Sequence, residues 1–215
     1  MSLALMNRMQ KRIAVIEIFG AIGGAVKSPE MDRLLNTARE DHRIKAVVLD
    51  VDSPGGSSSA SDYIYRSVKR LAERKPVIAA IRGTGASGSY MIACGAQRIV
   101  ASPGAIIGSI GVISVRPVLE DLLERAGISV NVNKSGAYKD MGAVWREATP
   151  EEQEKMQSLI DDIFADFVKI VSEARGLDES AVRDLATGEV YLADRARELG
   201  LVDELGDLHR AIDIA

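Results

Sequence analysis

Two near-continuous apolar runs, IKAVVLDVDS (44–53) and PVIAAIRG (76–83), constrain this chain more than any other feature. A strand that stays apolar without alternation needs cover on both faces, which is the habit of parallel sheets flanked by helices. Each run ends in a glycine-bearing turn, DSPGGSSS (52–59) and GTGASGS (83–89), and each turn leads into helical periodicity. Strand, tight turn and helix repeated in this way predict an α/β fold.

The rest of the chain fits that frame. RIAVIEIFG (12–20) reads as a first strand, and SPEMDRLLNTARE (28–40) as a helix capped by Ser28 with a proline at its first position. A second helix is expected over 57–74, with Ile64, Val68 and Leu71 on one stripe. RIVASP and GSIGVISV predict short strands, 117–126 a helix, and ISVNVNKS (128–135) a further strand. The clearest helix is 149–176: Thr149 caps it, Pro150 and two glutamates fill its first turn, and Gly176 ends it. Its stripe comprises Met156, Leu159, Ile160, Ile163, Phe164, Phe167, Ile170 and Val171. Two short helices follow, with LVDELG between them as strand and turn. No linker or repeat divides the chain, so 12–215 is expected to be one domain, and 1–11 an expression remnant or truncated N-terminus.

Composition excludes several functions. A net charge of −4 with interspersed signs and an aromatic content of 4% offer neither a basic face nor a stacking platform for nucleic acid. Cys94, His42 and His209 match no metal-ligand spacing, so neither metal nor other cofactor is expected. Cys94 sits in an apolar stretch and reads as an inert buried thiol. No apolar run is long enough to span a membrane, and the chain as given is expected to be soluble.

The glycine turns carry the chemistry. Each puts unpaired N–H groups at a helix start, where negative charge is favoured. Neither is a phosphate loop, because no Gly-Lys-Ser/Thr follows, and GTGASG lacks the downstream acid of a dinucleotide site. Together they can form an oxyanion hole, from the amide of Gly88 and that of Gly55 or Gly56, each donor contributing roughly 3–4 kcal/mol. Single glycine pairs more often serve tight turns alone; the serine within the second turn, Ser87, shifts the balance toward a nucleophile. His42 and His209 lie in polar, exposed-looking contexts, which leaves lysine as the base. Only about one free lysine in a few thousand is neutral at pH 7, and bringing its pKa to about 7 takes roughly 4–5 kcal/mol of desolvation. NKSGAYKDMGAVW (133–145) places Lys139 before an apolar stretch with Asp140 as its one charged neighbour, a candidate that the residues alone do not single out.

DSPGG, ASGSYMIACGAQRIVASPGAIIGSIGV and SGAYKD, in this order, resemble the signal peptide peptidase A (protease IV) family, within the Clp protease/crotonase superfamily. The resemblance runs from about residue 12 to the C-terminus. It implies a spiral of ββα units with C-terminal helices, and an endopeptidase with a Ser-Lys dyad that cleaves remnant signal peptides or other apolar membrane-derived peptides. Ser87 matches the nucleophile, Lys139 the general base, and Ser109 a serine that orients the lysine, whereas Lys134 has no counterpart. Gly88 and the Gly55–Gly56 pair match the oxyanion hole, with Gly56 favoured. The resemblance further implies a homo-octamer whose sites are shared between neighbouring subunits. It also implies an N-terminal membrane anchor, absent from this chain, on the extracytoplasmic face. The rival readings are a catalytically silent scaffold on the same fold and a crotonase-type acyl-CoA enzyme.

Overall fold

The computed structural model describes residues 11–215, so nearly all of the expected N-terminal remnant lies outside the described residues. The chain divides into two compact units, one running through Gly111 and resuming at Asp166, the other formed by Val112–Ala165.

In the first unit the apolar runs form a largely parallel sheet. β1 (Arg12–Phe19), β2 (Ile44–Ser53), β3 (Val77–Ala86), β4 (Arg98–Ala101) and β7 (Glu204–Leu205) lie in the order β1-β2-β3-β4-β7. β3 is long enough to fork the sheet. Its residues Ile78–Ile81 pair with β4, and Thr84–Ala86 pair with β5 (Ile106–Gly108). β6 (Val190–Leu192) then adds to β5 antiparallel. β2 is buried over nearly its whole length, as its lack of alternation demands.

Helices cover both faces. α1 (Ser28–Glu40) packs on α2 (Ser58–Ala72), and α2 on the short α3 (Gly88–Ala93). Against another part of the sheet, Ala211 of α8 (Leu208–Ile214) closes a cluster with Val48, Ile78, Ala80 and Val100. Ser57 caps α2, its Oγ accepting from the Ala60 amide at 3.4 Å. At α1 the cap is Lys27, without a side-chain bond, and Ser28 is already helical. This unit also holds α6 (Glu179–Leu185) and α7 (Ala193–Glu198).

The second unit is built differently. It holds α4 (Glu120–Arg125) and the first part of α5 (Pro150–Arg175), joined by turns. The strand expected over 128–135 does not form, nor does regular structure continue past Gly108 into ISV. A strand exists only within a ladder, and these segments have no ladder partner among the described residues. Their apolar residues stay open to solvent: Ile113 and Val115 are 86% and 84% exposed, and Ile128, Val130 and Val132 between 42% and 54%. Within Val112–Ala165 only Ala143 and Glu152 are buried. The α5 stripe divides likewise, with Phe167 and Val171 buried and Leu159 and Ile163 exposed. No helix among the described residues is long and apolar enough to cross a membrane.

Candidate active site

Ser87 stands where β3 gives way to α3, with φ of 53° and ψ of −126°. A positive φ is uncommon for a residue with a side chain and marks a backbone held in place by its surroundings. Four hydrogen bonds hold the turn. The Ser87 amide donates to the Gly108 carbonyl at 2.8 Å, continuing the β3–β5 ladder by one residue. The Ser87 carbonyl accepts from the Met91 amide at 3.0 Å as the first bond of the helix. One residue on, Ser89 Oγ donates to the carbonyls of Ser53 at 2.6 Å and Ala86 at 2.8 Å, tying the turn to β2.

The two glycine turns meet here. A Cβ on Gly55 would lie 2.8 Å from the Gly88 nitrogen, the Ser87 Cβ and the Ala86 oxygen, so only glycine permits the approach. A Cβ on Gly88 would lie 3.7 Å from the Gly56 nitrogen and would collide with the buried Ser61 Oγ. Ile22 fixes the first turn from its other side, its amide donating to the Gly55 carbonyl and its carbonyl accepting from the Ser57 amide. The Gly55 amide is taken up by Ser53 Oγ at 3.2 Å. Among the described residues no acceptor meets the amides of Gly56 or Gly88. The turn therefore presents a half-buried hydroxyl beside two free N–H donors, the elements needed to attack a carbonyl and hold the resulting oxyanion.

Ser109 follows the paired residue Gly108 just as Ser87 follows Ala86, and it too has a positive φ, 49°. Its amide donates to the Glu189 carbonyl at 2.7 Å. Ser87, Ser109, Gly88, Gly55 and Gly56 thus gather in the first unit.

Lys139 lies in the second unit, exposed, within successive turns in which its own amide donates to the Gly136 carbonyl at 3.1 Å. Among the described residues nothing bonds to its ammonium. Lys134 is engaged, by contrast: its Nζ donates to the Ala137 carbonyl at 2.9 Å and to Asp140 at 2.7 Å.

The alternative chemistries find no support. Cys94 is buried, and burial pushes its thiol up to about 12. His42 is exposed, as is His209, whose Nδ1 lies 3.7 Å from Asp207. Among the described residues no group of three potential ligands is arranged around a metal position.

Sequence reasoning missed the residues that hold these groups. Nothing in the spacing marks Ser61 as the neighbour that requires a glycine at 88, or Arg146 as the partner of both Asp140 and Glu152. The pattern Thr149-x-x-Glu152 was a readable sign: the Glu152 amide donates to Thr149 Oγ1 and the Thr149 amide to Glu152 Oε2, a reciprocal helix cap.

Comparison with known proteins gives the chain's family and fold. The model of peptidase family S49 matches residues 69–215, a span that includes Ser87, Ser109 and Lys139 and begins after Gly56. A putative protease of Synechocystis sp. is 42% identical over 92% of this chain and 70% of its own length. A putative protease of Methanocaldococcus jannaschii is 41% identical over 80% of this chain and 56% of its own. The chloroplastic serine protease SPPA of Arabidopsis thaliana is 34% identical over 95% of this chain but 32% of its own. The chain thus spans about half or less of the last two. Among solved structures, a mutant of ClpP1 from Listeria monocytogenes superposes with a TM-score of 0.65 at 15% identity, covering 97% of each chain. A mutant of the 1510-N membrane-bound stomatin-specific protease superposes at 0.62 with 20% identity, covering 95% of this chain and 84% of that one. These two structures share the Clp protease-like fold.

Proposed function

Since the chain belongs to peptidase family S49, a family of serine peptidases, we propose that it is an endopeptidase in which Ser87 is the nucleophile and Lys139 the general base. The observation that carries this reading is the strained Ser87 backbone, set against Gly55 and beside two unpaired amides. Neutral Lys139 removes the Ser87 proton as Oγ bonds to the scissile carbonyl carbon. The carbonyl oxygen becomes an oxyanion, held by the N–H groups of Gly88 and Gly56. Gly56 is preferred to Gly55 because the Gly55 amide is occupied. On collapse the C–N bond breaks and the Lys139 ammonium protonates the leaving amine. Water then gives a proton to Lys139 and its oxygen to the acyl carbon, releasing the acid and restoring the Ser87 hydroxyl. Ser109 is assigned to orienting the lysine.

Lys139 must be dry to act, yet it is exposed on the single chain. The second unit also leaves the apolar side chains of Ile113, Val115, Ile128, Val130 and Val132 uncovered. Assembly into a homo-octameric ring answers both, with Ser87 and Lys139 contributed by neighbouring subunits. The substrates are taken to be remnant signal peptides and other apolar membrane-derived peptides, bound as an added strand. An N-terminal anchor outside this chain would place the protein at the membrane, on its extracytoplasmic face.

Labelling with a serine-reactive fluorophosphonate tests the dyad. Adduct is expected on Ser87 of the wild type and on neither Ser87→Ala nor Lys139→Ala; equal labelling of all three would overturn the assignment.

A further inference from the structure

The geometry points to Arg146 as a positioning residue that keeps the Asp140 carboxylate away from the adjacent Lys139 ammonium, an inference that rests on the reading of Lys139 as general base. A carboxylate beside a lysine favours its charged form, and a charged lysine cannot accept a proton. Asp140 directly follows Lys139 in the chain, which makes it the anion adjacent to the candidate base in sequence.

That carboxylate is already fully engaged. Its Oδ1 accepts from Lys134 Nζ at 2.7 Å and lies 3.0 Å from Arg146 Nη2, while Oδ2 accepts from Arg146 Nε at 3.1 Å. The same guanidinium grips a second carboxylate: Nη1 donates to Glu152 Oε2 at 2.8 Å and Nη2 to Glu152 Oε1 at 2.6 Å. Glu152 is itself fixed at the start of α5 by the reciprocal bonds with Thr149. The backbone of residue 146 is held too, its carbonyl accepting from Arg116 Nη1 at 3.0 Å. An anchored helix terminus thus sets the guanidinium, and the guanidinium sets Asp140. The planar fork of arginine suits this double grip; the point charge of a lysine would not.

The charges balance within the cluster. Lys134 and Arg146 oppose Asp140 and Glu152, and Lys139 is outside the network. Other titratable groups border it: Glu151 and Tyr138 share a cleft with Lys134, Arg146 and Glu152, and Glu120 and Glu124 of α4 share another with Lys134, Asp140 and Arg146. Arg146 first and Lys134 second hold the Asp140 carboxyl well below the usual carboxylate range. Asp140 therefore remains an anion through neutral pH, and in the absence of Arg146 it would have a bond-forming oxygen to offer Lys139.

The test is the pH profile of kcat/KM for an apolar peptide substrate with the wild type, Arg146→Gln, Arg146→Gln/Asp140→Asn and Lys139→Ala. Arg146→Gln is expected to move the acid limb up by about one pH unit and lower kcat/KM at pH 7 about tenfold. Adding Asp140→Asn is expected to return the limb, because it removes the competing anion without restoring the lost bonds. An unmoved limb, or a loss that Asp140→Asn does not reverse, would overturn the inference and leave only a scaffolding role for Arg146. Lys139→Ala keeps the two readings apart. If it is inactive while the Arg146→Gln limb is unmoved, only this inference falls; if it is as active as wild type, the base assignment falls and this inference with it.

Discussion

At the scale of single residues, the site depends on what glycine omits. Gly55 has φ of +92°, and an added Cβ would meet the backbone of Ala86 and Gly88 at 2.8 Å, atoms with no flexible side chain to yield. Gly55→Ala is therefore expected to combine backbone strain of about 1–3 kcal/mol with displacement of the Gly88 amide. A misplacement near 1 Å costs about a hundredfold in rate, so kcat/KM should fall by about that factor, with a lower melting temperature. Wild-type kinetics in Gly55→Ala would contradict the contact between the turns. The turns that bring Ser87 and these glycines together were legible because strand, small-residue turn and helix form a local pattern. Arg146 was not, since a residue that bridges two carboxylates from within irregular turns leaves no periodicity to read.

At the scale of elements, signals carried by the chain itself read well and signals that need a neighbour did not. α5 was predictable from Thr149, Pro150, Glu152 and Gly176, all acting within its own ends. The alternation of Ile128, Val130 and Val132 looks like a strand, but a strand is a relation between segments, and the pattern does not say which segment completes it. Turns in this region are instead held by ion pairs, which gives it a defined acid sensitivity. The Arg146 guanidinium and the Thr149 amide bring the Glu152 carboxyl down to about 2 from its ordinary 4.5. A carboxyl held low in the folded state stabilises that state above its unfolded value, and the contribution disappears as pH falls through the folded value. Trp145, the chain's single tryptophan, lies in this unit. Its emission is expected to shift between about pH 4.5 and 2, with no change from pH 7 to 5. A flat profile across the acid range would show that the ion pairs do not hold the turns.

At the scale of the whole molecule, the proposed nucleophile Ser87 and the proposed base Lys139 belong to separate compact units, and the proposed assembly unites them. Family membership and the Clp protease-like fold followed from motifs spread along the chain, whereas assembly depends on surfaces that a single sequence does not pair. The most direct measurement co-expresses Ser87→Ala with Lys139→Ala, each inactive alone, and assays peptide cleavage by the mixed oligomer. With the site shared between neighbours, random mixing leaves about one site in four with both groups intact. Recovery of about a quarter of wild-type activity, in particles larger than a monomer, is the predicted result. A mixture as inactive as its parents, or full wild-type activity in a monomer, would contradict the shared site.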